Sequence, residues 1–140
     1  MKTNKHSIWD FVSINQKRFQ ALANKVWSTP ETCYTEQLSM RAHVEELKYH
    51  EFSVKTGIAN IPTAVLGEYG KSGPTIAFLG EYDALAGLSQ KADQFRQVPV
   101  EKGGNGHGCG HNLLGSASMQ AAVALKNWLQ ESNLPGIVRY

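Results

Sequence analysis

The chain has 140 residues, enough for one compact domain with a hydrophobic core. Its 14 basic and 12 acidic residues leave a formal charge of +2, which gives no electrostatic reason to expect nucleic acid or an anionic membrane as a partner. No stretch approaches the roughly 18 apolar residues of a membrane span, and the polar segment Met1 to Ser7 has no apolar signal region behind it. Cys33 and Cys109 are too few for a disulfide framework, and Cys33 is expected to be a small, partly buried residue. The composition therefore predicts a cytoplasmic protein with free thiols.

Two amphipathic helices are predicted in the first third of the chain. Apolar residues recur at intervals of three and four from about Asn4 to Trp27, and Ser28-Thr29-Pro30 ends this helix because a residue before proline avoids helical geometry. A second helix is expected from near Thr35 to Tyr49. It carries His43 and His50 among lysines and glutamates, and we interpret these histidines as part of a solvated face.

Three short strands should follow. They are Phe52 to Thr56, Thr63 to Glu68 and Thr75 to Leu79. The turn residues Gly70 to Pro74 predict an antiparallel hairpin between the second and third strands. The third strand is continuously apolar, which favours burial on both of its faces.

The rest of the chain predicts an irregular connection, a helix and a last strand. The connection runs from Ala84 to Lys102, and loops of that length in a compact domain are usually functional or mobile. A helix is expected from about Asn112 to Gln130, and Ile137 to Tyr140 begins a strand that the end of the chain cuts short. A strand, a helix and a further strand predict a right-handed parallel crossover. The fold class is therefore α/β, with two N-terminal helices and a mixed sheet.

One glycine-rich segment, Gly103 to Asn112, concentrates groups that can bind a metal ion. His107, Cys109 and His111 alternate along it, so an extended backbone would point them to the same side. A thiolate beside imidazoles suits zinc or a neighbouring transition metal. The alternative is a glycine-rich surface loop that happens to contain these side chains.

Two carboxylates are the natural oxygen partners of such a site. Glu81 and Asp83 come directly after the third strand, at the carboxyl end where open α/β sheets place their sites. Either residue could ligate a metal or hydrogen-bond a ligating imidazole. The alternative is a pair of turn carboxylates. Tyr82, between them, should point to the opposite side and pack.

Two nucleotide sites and a thiol enzyme compete with the metal site as interpretations of the glycine loop. The residues GHNLLGS (110–116) have the glycine spacing of a P-loop, but Ser116 stands where the lysine is needed. The glycines before His111 begin a dinucleotide fingerprint but lack its third glycine and do not follow a strand. A catalytic Cys109 beside histidines at a helix N-terminus remains an alternative, although metal ligation accounts for two histidines more simply.

Two segments resemble a known family. FLGEYDAL (residues 78–85) and, after a spacer, GHGCGHNLLG (residues 106–115) are similar to the aminoacylase/carboxypeptidase family of metal-dependent amidohydrolases. The resemblance implies an α/β catalytic domain of the zinc-peptidase type with two divalent metal ions, zinc or manganese, and a smaller inserted domain for dimerisation. The implied reaction is hydrolysis of the amide in an N-acyl amino acid or dipeptide by metal-activated water, releasing an amino acid such as glutamate.

The same resemblance implies roles for individual residues. Cys109 and His111 match metal ligands, Asp83 matches a carboxylate that supports the site, and Glu81 and His107 are candidates for a ligand or a supporting contact. The family's glutamate pair, one of which is the general base, comes after the strand that begins here at Ile137.

These matches lead to two expectations for the chain as a whole. Residues 1–140 are expected to be the N-terminal part of a catalytic domain, without the dimerisation domain or the general base, and inactive alone. The partners would be a small-molecule amide and a second copy or a second subunit. The rival hypothesis is a metal-binding or protein-interaction module that completes its site or its sheet with another chain.

Overall fold

A computed structural model describes the backbone of residues 4–140 and the side chains of residues 6–140. The start of the polar segment Met1 to Ser7 lies outside the described residues. Within them the chain forms three α-helices, four strands and a short 3-10 helix. In chain order these are α1 (Asn4–Trp27), α2 (Gln37–Tyr49), β1 (Ser53–Thr56), the 3-10 helix (Ile58–Asn60), β2 (Val65–Tyr69), β3 (Thr75–Ala77), α3 (His111–Glu131) and β4 (Ile137–Arg139).

The predicted helices and strands are all present, with bounds that differ by a few residues. The helix expected from Thr35 begins at Gln37, and the third strand ends at Ala77, two residues before the predicted end. The connection between β3 and α3 is irregular, as predicted. Its backbone nevertheless pairs with itself, since Ser89 N donates to the Gly104 carbonyl and Lys91 N to the Val98 carbonyl.

The sheet is mixed, as predicted, with the strand order β1-β2-β4-β3. β3 and β4 are parallel, as the β3-α3-β4 order predicted, while β2 pairs antiparallel with both β1 and β4. The predicted hairpin between β2 and β3 is wrong, because β4 lies between them.

The turn between β2 and β3 explains this order. Gly70 and Gly73 both have positive φ and lie against the residues just before β4. A Cβ on Gly70 would lie 2.0 Å from the Gly136 carbonyl oxygen. The Ile137 amide then donates to the Pro74 carbonyl at 2.9 Å. The two glycines thus let the chain entering β4 pack closely against this segment, and they do not form a hairpin turn between β2 and β3.

The expectation that the third strand is buried on both faces is also wrong. All three residues of β3 are exposed, and the side chains of Ile76 and Leu79 are 47% and 89% exposed. The strand lies at the edge of the sheet, where only β4 pairs with it among the described residues. An apolar run predicts a strand, but its place in the sheet depends on residues far away in sequence.

One hydrophobic core joins the helices and the sheet. Its largest fully buried apolar side chains are Leu47 of α2, Met119 and Val123 of α3, Val26 of α1 and Val138 of β4. Tyr82 belongs to this cluster, so its predicted packing role is confirmed. No helix in the part of the chain that the structure describes has the length and the apolar character that a membrane crossing needs.

Helix α2 buries polar residues beside two of its apolar ones, Ala42 and Leu47. The buried residues are Ser39, Ala42, His43, Glu46 and Leu47, whereas Leu38 is 49% exposed. The interpretation of His43 as part of a solvated face is therefore wrong. Positions 39, 42, 43, 46 and 47 follow helical spacing. Three of the five residues are polar, so the hydrophobic periodicity of the sequence does not reveal this buried face. Cys33, expected to be partly buried, is exposed.

Candidate metal centre

Three side chains from two parts of the chain meet at one end of α3. His111 Nδ1 lies 2.7 Å from Asp83 Oδ1, and His111 Nε2 lies 2.9 Å from Glu81 Oε2. One ligand atom from each of the three residues lies within 4.8 Å of the other two. His111 and Asp83 are half-buried, while the Glu81 side chain is 58% exposed. The group therefore faces solvent through its glutamate.

The two carboxylates owe their direction to Tyr82. In an extended segment alternate side chains point to opposite sides, and Tyr82 points into the core. Its ring centroid lies 4.7 Å from that of His43, and its hydroxyl donates to the Thr63 carbonyl. Glu81 and Asp83 are consequently turned away from the core. The Ala84 amide then donates to the Glu31 carbonyl at 2.7 Å, which fixes the end of the segment.

The imidazole comes from the first turn of α3. Gly110 precedes the helix with φ 79°, a left-handed conformation that glycine adopts without the strain of a side chain. One turn later, a Cβ on Gly115 would lie 2.5 Å from the Glu81 carbonyl oxygen. The absence of a side chain at Gly115 therefore lets the helix approach the segment that carries both carboxylates.

The hydrogen bond from His111 to Asp83 makes the imidazole suitable as a ligand. Because Nδ1–H donates to Asp83, Nε2 is the nitrogen that can bind a metal once it carries no proton, and it lies beside the Glu81 carboxylate. A carboxylate behind a histidine fixes its tautomer and its ring orientation in this way at many metal sites. Glu81 and His111 Nε2 are donors that suit a divalent ion such as manganese or zinc, while Asp83 holds the ring from its Nδ1 side. The residues present therefore fit the metal that the resemblance implied.

Cys109 and His107, the other candidate residues of the loop, are not members of this group. Cys109 is exposed. His107 is half-buried, and its Nε2 donates to the Val26 carbonyl at the end of α1 across 3.1 Å. Burial lowers the pKa of His107, so its neutral form predominates near neutral pH. Its Nδ1 is buried without a hydrogen-bond partner among the described residues.

His43 is a neighbour of the site that the sequence reasoning missed. Its side chain is fully buried, and a Cβ on Gly115 would lie 2.9 Å from its Nε2. Its Nδ1 is 3.0 Å from the Ser39 carbonyl, whereas Nε2 has no partner among the described residues. Burial lowers the pKa of His43 to about 4. A neutral imidazole thus lies beneath the contact between Gly115 and Glu81.

Two cavities lie near the candidate residues, one beside the carboxylate segment and one beside the glycine loop. The smaller, of about 260 Å³, is bordered by Glu81 and Asp83 together with apolar side chains such as Phe78 and Leu79. The larger, of about 460 Å³, has His107 in its wall and contains none of the three grouped residues. The smaller cavity is the one next to the donor set, so we regard it as the place for a ligand that reaches a bound metal.

The sequence has clear relatives among hydrolases. It is 43% identical over 131 residues to one of the subunits of p-aminobenzoyl-glutamate hydrolase from Escherichia coli, a match that covers 94% of this chain and 27% of that protein. It is 31% identical over 137 residues to the mouse Xaa-Arg dipeptidase, covering 88% of this chain and 27% of the dipeptidase. The chain therefore spans about a quarter of the length of these relatives. A scan against family models gave no match.

Solved structures share the fold. A candidate aminohydrolase from methicillin-resistant Staphylococcus aureus superposes with a TM-score of 0.75 at 18% identity, covering 98% of this chain and 34% of that one. A Bacillus subtilis dinuclear metal-binding peptidase of the M20 family superposes with a TM-score of 0.59 at 20% identity, covering 89% of this chain and 34% of the peptidase. At these identities the likeness concerns the fold.

The fold is a mixed α/β fold that the two solved structures share, and Glu81, Asp83 and His111 form a candidate metal site within it. The resemblance seen in the two sequence motifs is confirmed, since the chain is similar to a subunit of p-aminobenzoyl-glutamate hydrolase and to the Xaa-Arg dipeptidase.

Proposed function

We propose that this chain supplies part of the metal centre of an amidohydrolase. The observation that carries the proposal is the contact of His111 with both Asp83 and Glu81, because it orients the imidazole with Nε2 beside a second potential ligand. A divalent metal at such a site lowers the pKa of water and polarises an amide carbonyl. We propose two ions per complete site, zinc or manganese.

Each residue of the site has a distinct role in this proposal. His111 Nε2 and Glu81 bind the metal, and Asp83 holds the proton on His111 Nδ1 and orients the ring. Cys109 is a further ligand, as the resemblance implies, and it is exposed two residues before His111.

The substrate we propose is an N-acyl amino acid, and p-aminobenzoyl-glutamate in particular. Support comes from the relative with 43% identity, which is named for that substrate. The cavity of about 260 Å³ beside the carboxylates has apolar walls that suit an acyl group and polar groups that suit an amide. A dipeptide is the second substrate class, because a dipeptidase is also a relative.

We further propose that the 140-residue chain binds metal but does not hydrolyse the amide by itself. Glu81 and Asp83 are the carboxylates grouped with His111 in the described part of the chain, and the imidazole engages both. Neither is then available as a general base. The base, the remaining ligands and a dimerisation domain would come from a longer polypeptide, a second copy or a second subunit. The Escherichia coli relative is itself named as one subunit of its enzyme, which supports the last of these sources.

The test combines metal binding with hydrolysis. The dialysed chain is titrated with zinc and with manganese by calorimetry, beside His111→Ala, and glutamate release from p-aminobenzoyl-glutamate is then assayed. We expect binding that the variant loses, and no release above the metal-only blank. A chain that binds neither ion would overturn the proposed metal centre. Metal-dependent release that His111→Ala abolishes would support the amidohydrolase and overturn the proposed inactivity of the isolated chain.

A second function is a module that completes its sheet with another chain. The exposed edge strand β3, with Ile76 and Leu79 open to solvent, favours this function because an unpaired strand edge readily pairs with another strand. Sedimentation of the metal-free chain over a range of concentrations tests it. Self-association that Ile76→Lys abolishes would support pairing at β3, and a monomer at all concentrations would exclude a second copy as the partner.

A further inference from the structure

Five polar side chains join the glycine loop and α3 to the backbone of α1 and of the turn that follows it. In chain order the donors are Asn105, His107, Asn112, Ser116 and Gln120, and the acceptors, in reverse chain order, are the carbonyls of Pro30, Val26, Ala23, Phe19 and Val12. The distances lie between 2.6 and 3.3 Å. We name this set of bonds the α1 ladder.

The ladder is antiparallel and follows helical spacing. Asn112, Ser116 and Gln120 are four residues apart, so they lie on one face of α3. Asn112 and Ser116 are buried, and donors in such positions cost free energy when they lose their acceptors. The ladder therefore fixes the register of α3 along α1 as well as the distance between the two helices.

Two of these bonds enclose the metal-binding segment. His107 lies two residues before Cys109, and Asn112 directly follows His111. The Val26 carbonyl belongs to the last turn of α1, where carbonyls lack an intrahelical partner, and it accepts from the Thr29 amide as well as from His107. The segment between the two bonds contains Gly108 and Gly110, whose backbones are less restricted than those of other residues, and its Gly110 amide donates to the His107 carbonyl at 3.0 Å.

We propose that His107 and Asn112 are positioning residues, which fasten the Cys109–His111 segment to α1 so that its ligands are oriented before metal binds. This inference rests on the proposed metal centre. Groups that orient a ligand typically change metal affinity about 10–100-fold when they are removed. Ser116 and Gln120 make the same kind of bond one and two turns farther from His111, so they provide matched controls for the stability of the contact between α1 and α3.

The experiment compares four single variants with the wild type: His107→Ala, Asn112→Ala, Ser116→Ala and Gln120→Ala. Each is measured for its urea midpoint, its zinc affinity by competition with a chromophoric chelator, and the visible absorption of its cobalt complex. We expect His107→Ala and Asn112→Ala to lower zinc affinity about 10-fold or more and to alter the cobalt spectrum. Ser116→Ala and Gln120→Ala should shift the urea midpoint and leave zinc affinity and the spectrum unchanged.

A conservative variant distinguishes loss of the hydrogen bond from loss of folding. Glutamine has a side-chain N–H that can replace the donor of His107, so His107→Gln should regain most of the zinc affinity lost in His107→Ala. Wild-type zinc affinity in His107→Ala and Asn112→Ala would overturn the inference and leave the proposed metal centre intact. An equal loss of affinity in all four variants would also overturn it, because the effect would then follow stability. A wild-type chain that binds no zinc would overturn the metal centre and this inference together.

Discussion

His111 donates from Nδ1 to Asp83 Oδ1 across 2.7 Å, and the two residues are separated by 28 positions in the chain. The bond joins the segment after β3 to the first residue of α3. It fixes which imidazole nitrogen carries the proton, and so which nitrogen is free to bind a metal.

Asp83→Asn should weaken metal binding without unfolding the chain. The amide keeps the size of the carboxylate but loses the charge that holds the proton on Nδ1, so affinity should fall about 10–100-fold. Calorimetric titration with zinc measures the effect. Asp93→Asn, a change of the same type at an exposed position of the connecting loop, is the control and should bind like the wild type. Equal affinities for the two variants would contradict the role of Asp83.

The two exposed cysteines give an internal comparison for metal ligation. Cys33 and Cys109 are both exposed and should both react with a thiol reagent in the metal-free chain. Zinc should slow the reaction of Cys109 and leave that of Cys33 unchanged, because a bound thiolate is a poorer nucleophile. Peptide mapping after timed alkylation measures each rate. A metal-free Cys109 that reacts much faster than Cys33 would instead support the thiol-enzyme alternative.

Acid should destabilise the fold through His43. Its pKa is lowered to about 4 by burial, so between about pH 6.5 and 4 the unfolded chain binds a proton that the folded chain does not. Above pH 6.5 the titration of His43 costs the folded state no stability, and as the pH falls toward 4 the free energy of unfolding decreases. Urea unfolding at pH 7 and pH 4.5 should show that the wild type loses on the order of 2 kcal/mol more than His43→Gln, which has no titrating group. Equal losses would show that His43 titrates alike in both states.

Gly115→Ala should disturb the contact between α3 and the carboxylate segment. The new methyl group would lie 2.5 Å from the Glu81 carbonyl oxygen, which is backbone, and 2.9 Å from Nε2 of the fully buried His43 ring. We expect a loss of about 1–3 kcal/mol of unfolding free energy, despite the helical preference for alanine. Urea unfolding at pH 7 measures it. A more stable variant would mean that the helix can move aside without cost.

Lys126→Met should destabilise the chain more than Glu51→Gln does. The buried Lys126 Nζ donates to the His50 carbonyl at 2.6 Å and to Glu51 Oε2 at 2.8 Å. Methionine leaves the carbonyl without its donor, at a cost of about 1–3 kcal/mol. Glu51→Gln removes only the charge of an exposed partner, so its effect should be smaller. Thermal unfolding of both variants compares them, and the opposite order would assign the stabilisation to the ion pair.

Hydrophobic periodicity was enough to predict the helices and strands of this chain, because local spacing decides which backbone geometry buries apolar side chains. The helix from Asn4 to Trp27 has the predicted bounds, and the opposite directions of Tyr82 and its two neighbours followed from strand alternation. The motif around Cys109 also identified the family of relatives. These features depend on residues close together in the sequence.

Strand order and the partners of polar side chains depended on the tertiary structure. β4 lies between β2 and β3, and Gly70 and Gly73, far from β4 in sequence, leave room for its backbone. β3 is exposed although its sequence is apolar. His43 is buried because tertiary packing selects a face of α2 that is largely polar. Strand alternation predicts that His107 turns toward a metal, whereas in the folded chain its Nε2 donates to Val26. Each of these features depends on a contact between residues far apart in the chain, and the spacing of apolar residues within one segment does not predict such contacts.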